Sequence, residues 1–148
     1  MRLLLDTNVL IDHFARRMPF FDDVTQLLVA QSFGDVELWA SGLSFSDIEY
    51  ILRANVGVER LRDMMSRSRG FLNVCVPTPD DVWDGMSSGW PDLEDFLIAK
   101  AAQRIRADYL ITRDAKGFVS SPVRALTPAA FLKLMRDDYH VIYEELMW

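Results

Sequence analysis

The sequence predicts a doubly wound α/β domain, in which helices cover both faces of a largely parallel sheet. The chain has 148 residues, of which 50% are hydrophobic and 26% charged, as expected for one ordinary globular domain. Apolar runs with the length of strands alternate with segments that are long enough for helices. Strands joined through helices need crossover connections, which pair the strands in parallel.

The first half of the chain contributes two strands and three helices to this prediction. The apolar run MRLLL predicts a buried strand that ends at the polar residues DTN. Helical spacing of apolar side chains predicts a helix over residues 20–33, which Gly34 ends. After the strand VELWAS, a helix is expected from Ser44 through FSDIEYILRA, and a basic helix follows in VGVERLRDMMSRSR, closed by Gly70.

The second half contributes three more strands. The run NVCVP predicts a third strand, and Thr78 with Pro79 then begins a short helix. In DLEDFLIAKAAQRI, helical spacing places four apolar side chains on one buried stripe: Ile98, Ala101, Ala102 and Ile105. The runs ADYLITRD and VRAL predict the fourth and fifth strands, and Thr127 with Pro128 begins the last helix.

Charge and cysteine content limit the classes of function. A net charge of -6 argues against broad, nonspecific binding to nucleic acid, so any such contact must be local. The single cysteine, Cys75, is expected to pack as a small hydrophobic residue. The amino terminus lacks secretory character and no apolar run is long enough to span a membrane, so we expect a cytoplasmic protein without membrane contact.

Four acids are predicted at the edge where parallel strands end and the following helices begin. Asp6 and Asp114 directly follow strands one and four, outside any helix, whereas Asp47 and Asp95 lie in first turns of helices. Each of the latter two also fits a capping pair, Asp47 with Ser44 and Asp95 with Asp92.

Carboxylates gathered at one edge raise each other's pKa values unless a cation offsets the repulsion. A hard divalent ion, Mg²⁺ or Mn²⁺, prefers oxygen ligands and can activate water beside a phosphoryl group. The acids at this edge therefore point to phosphodiester hydrolysis.

Five blocks in order carry a family resemblance: LLLDTNVLID, SGLSFSDIEYIL, DLEDFLIAKAA, ADYLITRDAKGF and LTPAAFLKLM. They resemble the PIN domain, in the bacterial subgroup with a D-x-E-D helix and a T-R-N/D turn. The resemblance covers residues 1–136 and leaves 137–148 as a tail or helical extension. It implies a three-layer α/β/α fold with a central, mostly parallel, five-stranded sheet.

The resemblance also implies a function. PIN domains are metal-dependent ribonucleases, which leave a 5′-phosphate and a 3′-hydroxyl, and many bacterial ones are toxins restrained by a small antitoxin protein. The family is often dimeric, so a homodimer is expected here. By position, the catalytic and Mg²⁺- or Mn²⁺-binding acids would be Asp6, Asp47, Asp95 and Asp114. Three further residues would support the site: Asn8, Thr112 and, as an outer acid, Asp92.

The second acid departs from the family, which most often has Glu there. Asp47 is one methylene shorter, and Glu49 competes for the same role. The two positions differ by about 200° around a helix, so only one can face the ion. We favour Asp47, because Ile51 and Leu52 then follow on the buried side.

Basic residues suggest where a substrate or partner could bind. Residues 53–69 contain five arginines, among them Arg53 and Arg60, against two acids. This segment is either a solvated helix face or a contact for RNA or for a protein partner. Arg113 and Lys116, beside Asp114, are better placed to reach a scissile phosphate.

The two histidines and the aromatic residues of the tail are not assigned to the acidic site. His13, at a helix start, and His140, in the tail, are assigned structural or surface roles. Aromatic residues of the tail, Tyr139, Tyr143 and Trp148, suggest docking on the domain or on a second subunit.

Other α/β enzymes with a strand-end Asp fit less well. A haloacid dehalogenase-type enzyme needs an acid where this chain has Asn8, and a response-regulator receiver needs a lysine after a late strand. A noncatalytic PIN-like module that binds RNA or protein remains the alternative.

Overall fold

A computed structural model describes residues 1–143, and residues 144–148 lie outside the described part. The sheet has five strands: β1 Arg2–Leu5, β2 Glu37–Ser41, β3 Asn73–Cys75, β4 Tyr109–Ile111 and β5 Ala125–Leu126. All neighbouring strands are parallel, in the order β3-β2-β1-β4-β5. The predicted crossover topology is therefore confirmed, and the sheet is entirely parallel within the described residues.

Seven α-helices cover the sheet in the described part of the chain. They are α1 Thr7–Phe14, α2 Phe20–Ser32, α3 Gly42–Val56, α4 Val58–Arg67, α5 Pro79–Ser87, α6 Leu93–Arg104 and α7 Pro128–Tyr139. Two short 3₁₀ helices follow α4 and β4, at Ser68–Gly70 and Ala115–Phe118. The result is the expected three-layer α/β/α arrangement.

The central strand β1 supplies side chains to the cores on both faces of the sheet. Leu3 and Leu5 are buried in a core with residues of α1, α2, α3 and α7, whereas Leu4 is buried in a second core beneath α6. This alternation follows from the two-residue repeat of a strand, and a run of three leucines suits a strand covered on both sides. The predicted α6 stripe, Ile98, Ala101, Ala102 and Ile105, is buried in the second core.

The capping residues at two helices agree with the sequence analysis. Thr78 accepts the backbone N–H of Asp81, whose carboxylate accepts the Thr78 N–H, and Pro79 is the first residue of α5. Thr127 accepts the N–H of Ala130 at the start of α7. These reciprocal contacts satisfy backbone groups that a helix leaves free at its amino end.

Three local expectations near the amino terminus are wrong. Helix α1 begins at Thr7, directly after β1, so His13 lies in its last turn rather than at a helix start. Helix α3 begins at Gly42 with Ser41 as its cap, so the pair of Ser44 and Asp47 does not cap it.

The buried face of α3 agrees with the expected one at Leu52 but not at Ile51. It comprises Ser44, Ile48 and Leu52, spaced four residues apart, while Ile51 is 47% exposed.

The division of the chain at residue 136 stays a prediction, although α7 continues across it to Tyr139. Beyond α7, Tyr143 is buried against the first core and donates a 2.7 Å hydrogen bond to Asp35 Oδ2. Tyr139 is exposed and Trp148 lies outside the described residues. Within residues 1–143, no helix combines the length and apolar character needed to cross a membrane.

Candidate active site

Asp6 lies at the carboxyl end of β1 and caps α1. Its Oδ1 accepts the Thr7 N–H at 2.7 Å, and its Oδ2 accepts the Thr112 hydroxyl at 2.8 Å. The carboxylate is 6% exposed, and this burial raises its pKa, against the lowering effect of the two hydrogen bonds. The repulsion from Asp114 and Asp92 raises the pKa further, so these charges act on one another.

Thr112, at the end of β4, joins the polar groups of this edge. Its buried hydroxyl donates to Asp6 and accepts the N–H of Asp114 at 3.0 Å and the amide of Asn8 at 3.4 Å. The Asn8 Oδ1 accepts the N–H of Arg113 at 3.2 Å. Asn8 and Thr112 therefore hold the turn after β4 against the start of α1.

Asp114 caps the 3₁₀ helix after β4, since its Oδ1 accepts the Gly117 N–H at 3.3 Å. Both acids lie outside helices, as predicted, and each caps the helical turn that begins at the next residue. Asp6 directly follows β1, as predicted, but the prediction that Asp114 directly follows β4 is wrong, because Thr112 and Arg113 lie between them. Capping fixes these two carboxylates without removing them from the edge.

Asp95 lies in the first turn of α6, where Asp92 caps the helix by accepting the Asp95 N–H at 3.0 Å. The predicted capping pair is thus confirmed. Burial raises the pKa of Asp95 to about 6, with further contributions from the charges of Asp92, Asp6 and Asp114.

Gly117 leaves open a small space between Asp95 and Asp114. A methyl group on its α-carbon would lie 2.9 Å from Asp114 Oδ2 and 3.3 Å from Asp95 Oδ2. The two oxygens thus face the same point, which a larger residue would fill.

Asp47 neighbours this edge through Glu94. Its charge raises the pKa of Glu94, although burial of Glu94 is the larger cause, and it does not contribute to the raised pKa values of Asp6 or Asp95. Glu49 forms two 2.7 Å hydrogen bonds with Arg62 of α4 and is directed away from the acids. Of the two competing positions, Asp47 is the one that neighbours the acidic edge.

Glu94 is a member of this edge that the sequence analysis did not assign to the site. Its Oε1 accepts the Thr7 hydroxyl at 3.2 Å, and Thr7 in turn lies 2.8 Å from the hydroxyl of buried Ser44. Thr7 has one hydroxyl proton and uses it for Glu94, so Ser44 is the donor to Thr7. The D-x-E-D pattern contained Glu94, but helical phase favoured Asp95 alone for the buried stripe.

The donor set suits a hard cation, but the site is not preformed as a complete cage. Among residues 1–143, no three His, Cys, Asp or Glu side chains lie close enough together to hold a metal ion. Mg²⁺ commonly needs only one or two protein carboxylates, with water and substrate oxygens completing its ligands. Asp95 and Asp114, which share the space beside Gly117, meet this smaller requirement, and Asp6 adjoins them.

The predicted basic contacts are distributed over separate surfaces. Arg113 Nε lies 2.7 Å from Asp12 Oδ2, so this arginine is already held by a buried carboxylate. Lys116 is exposed in the 3₁₀ helix beside Asp114. Arg53 lies over the ring of Tyr50 at 4.9 Å, and Arg60 lines a groove near the carboxyl ends of α1 and α3.

The two histidines and the cysteine lie outside the acidic edge. His13 packs among Phe14, Phe21 and Phe71, and burial, with a smaller contribution from Arg16, lowers its pKa. His140 is exposed after α7, and Cys75 is half-buried in β3.

A parallel sheet covered by helices on both faces, with acids at its carboxyl edge, defines the class of protein as a three-layer α/β/α domain. The PIN domain profile matches residues 2–116, and the chain belongs to the PIN domain family. No curated protein matches the sequence.

Solved structures with this fold include several complexes of two proteins. A toxin-antitoxin complex from Klebsiella pneumoniae contains a chain with 25% identity and a TM-score of 0.62, over 85% of this chain and 97% of that one. VapBC2 from Rickettsia felis, bound to a promoter DNA fragment, has 15% identity and a TM-score of 0.64, over 86% of this chain and 98% of that one. VapBC-1 from nontypeable Haemophilus influenzae has 18% identity and a TM-score of 0.63, over 87% of this chain and 99% of that one.

Proposed function

We propose that this chain is a Mg²⁺- or Mn²⁺-dependent endoribonuclease that acts as the toxin of a toxin-antitoxin pair in the cytoplasm. The observation that carries the proposal is the gathering of Asp6, Asp95 and Asp114, where Asp95 has a pKa of about 6. Perturbed carboxylates at the carboxyl edge of a parallel sheet are typical of a functional site. Membership of the PIN domain family supports hydrolysis of a phosphodiester bond.

In this proposal, Asp95 and Asp114 hold the divalent ion directly, and Asp6, Asp47 and Glu94 contact it through water. The ion, when bound, orients water and offsets the charge that develops on the phosphoryl group. Thr112 fixes Asp6 by donating to its Oδ2 and fixes the turn of Asp114 by accepting its N–H.

The supporting residues act by restricting motion at this edge. Asn8 bridges Thr112 and the Arg113 N–H, so the start of α1 and the turn after β4 cannot separate without breaking these bonds. Asp92 keeps the first turn of α6 in place through the Asp95 N–H. Such fixed geometry lowers the cost of bringing water and a phosphodiester together.

A groove near the carboxyl ends of α1 and α3 fits a small protein partner. It has a volume of about 750 Å³, and four arginines against one acid line it together with apolar and polar side chains: Arg16, Arg17, Arg60, Arg67, Asp63, Asn55, Phe14, Ala15, Leu52, Val56 and Met64. An acidic peptide with apolar anchors matches both chemistries, whereas an RNA backbone matches the arginines alone. The solved complexes of a toxin with its antitoxin support a partner of this kind.

A homodimer is also part of the proposal. β3 is an edge strand, and the apolar side chains of Val74 in it and of Val76 just after it are 49% and 65% exposed. Leu43 at the start of α3 is exposed beside them, since Gly42 approaches both valines. Burial of such a patch against a second copy would remove apolar area from water.

The test is calorimetric titration of Mn²⁺ into metal-free wild-type protein, followed by RNA cleavage with the same samples. We expect binding and Mn²⁺-dependent cleavage by the wild type and their loss in Asp6→Asn and Asp95→Asn. Asp63→Asn is the matched control, because Asp63 forms only an exposed ion pair with Arg67 on α4. A wild type that binds no Mn²⁺ would exclude the metal site.

A noncatalytic PIN-like module that binds RNA or protein is the second candidate. It is favoured by the hydrogen bonds that already occupy both oxygens of Asp6, and because Asp47 is not among the charges that raise the pKa values of Asp6 and Asp95. RNA binding without cleavage, in the presence of Mn²⁺, would support this candidate over the nuclease.

A further inference from the structure

A second, smaller pocket adjoins the acidic edge on the side of β4 and β5. It has a volume of about 300 Å³ and is lined by residues from three separate segments: Phe20, Asp23, Arg113, Thr127, Pro128 and Ala129. Arg113 joins the pocket to the turn that carries Asp114, because its backbone N–H donates to Asn8 Oδ1 at this edge while its side chain lines the pocket. This volume is at the lower end of the range for small-ligand sites, about 300 to 1,000 Å³.

Arg113 forms a fixed planar surface in this pocket. The Asp12 carboxylate, which is 0% exposed, forms an ion pair with Arg113, 2.7 Å from its Nε, and so favours this position of the guanidinium group. The Arg113 Cζ lies 4.3 Å from the centre of the Phe20 ring. Aromatic rings and guanidinium planes are the surfaces on which unpaired RNA bases stack.

Asp23 supplies a hydrogen-bond acceptor beside this surface. It lies in the first turn of α2, is half-buried, and lines the pocket. Among the described residues, Asp22 is the one charge that perturbs it, and no side chain donates to it. Its carboxylate oxygens are therefore available to donors of a bound molecule.

We propose that this pocket binds a base of the RNA next to the bond cleaved at the acidic edge, and that it selects guanine. Guanine carries two adjacent donors, N1–H and the N2 amino group, which match the two oxygens of Asp23. Adenine, cytosine and uracil each have a hydrogen-bond acceptor beside their donor. This acceptor would face an oxygen of the Asp23 carboxylate, and no hydrogen bond could form between them.

This inference rests on the proposed ribonuclease for the identity of the substrate, but base binding can be measured without cleavage. The probes are the four nucleoside 5′-monophosphates, titrated into metal-free protein and followed by amide chemical shifts. Because all four carry the same phosphate, differences among them report the base.

We expect guanosine monophosphate to bind about tenfold more tightly than adenosine monophosphate, as a buried pair of donors and acceptors would require. Asp23→Asn should remove this difference, whereas Asp22→Asn, a neighbouring carboxylate outside the pocket lining, should retain it. Phe20→Leu should weaken all four nucleotides and leave the fold unchanged by circular dichroism.

The outcomes separate this inference from the ribonuclease proposal. Equal binding of the four nucleotides, or a preference that Asp22→Asn also removes, would overturn the guanine pocket even if RNA is cleaved. A guanine preference that depends on Asp23, in a protein that cleaves no RNA, would support the pocket and exclude the nuclease.

Discussion

Replacing Asp95 with Asn should stabilise the metal-free protein near neutral pH. A change in the pKa of Asp95 from 3.8 to about 6 corresponds to about 3 kcal/mol of unfavourable free energy for the ionised, folded form. Because the side chain reaches solvent, screening leaves about 1 to 2 kcal/mol of this cost. The loss of a negative charge from the first turn of α6 opposes the gain by about 0.3 to 1 kcal/mol. A net stabilisation of about 1 kcal/mol remains, which raises Tm by about 2 to 4 °C.

The sign of this effect depends on pH in a defined way. Since the folded pKa is raised, the folded protein binds the Asp95 proton more tightly than the unfolded chain does. The penalty for ionisation is absent below pH 3.8, increases as the pH rises, and is complete above about pH 6. Urea denaturation of wild type and Asp95→Asn, with chelator present, should therefore give a larger difference near pH 7 than near pH 4.

Addition of Mn²⁺ should reverse the order of stability. An ion at about 100 times its dissociation constant stabilises the folded state by about 2.7 kcal/mol, and Asp95→Asn should not gain this. Asp63→Asn should have the same stability as wild type both with chelator and with Mn²⁺. The reasoning would be refuted if Asp95→Asn is less stable than wild type near pH 7 without metal, or if the difference is the same at both pH values.

Three further changes test other parts of the structure. Thr112→Val removes the hydroxyl that donates to Asp6. The free energy of unfolding in urea should fall by about 1 to 3 kcal/mol, and RNA cleavage should be lost. Gly117→Ala should weaken Mn²⁺ binding in calorimetry and cost about 0.5 to 2 kcal/mol of stability, because its methyl group would lie 2.9 Å from Asp114 Oδ2 and displace the carboxylate that caps the 3₁₀ helix. Tyr143→Phe loses the hydrogen bond to Asp35 and should lower the free energy of unfolding by about 1 kcal/mol; an unchanged value would contradict a docked tail.

The sheet and the α6 stripe could be predicted because local patterns determine them. Each strand is a short apolar run, and the four stripe residues of α6 recur at helical spacing and are all buried. The caps at Thr78 and Thr127 were equally visible, since Pro follows each directly.

The start of α3 could not be read from the sequence in the same way. Ser44 looked like the cap, but Ser41 serves in its place because Gly42 packs against β3, 2.9 Å from Val76 in the position where a side chain would begin. Ser44 instead lies one turn into the helix, where Thr7 of α1 provides its hydrogen-bond partner. Both contacts join distant parts of the chain, so the helix propensities of neighbouring residues could not predict where α3 begins.

The acids at this edge differ in whether they also cap a helix, and this difference explains why the pKa of Asp95 is raised so far. Asp6, Asp92 and Asp114 each accept a backbone N–H at the beginning of a helical turn, so hydrogen bonds offset part of the cost of their charges. Among the described residues, none donates to the side chain of Asp95, and it has the pKa of about 6. Asp95 is therefore the acid that gains most from a bound cation, and the one whose replacement most clearly separates stability from function.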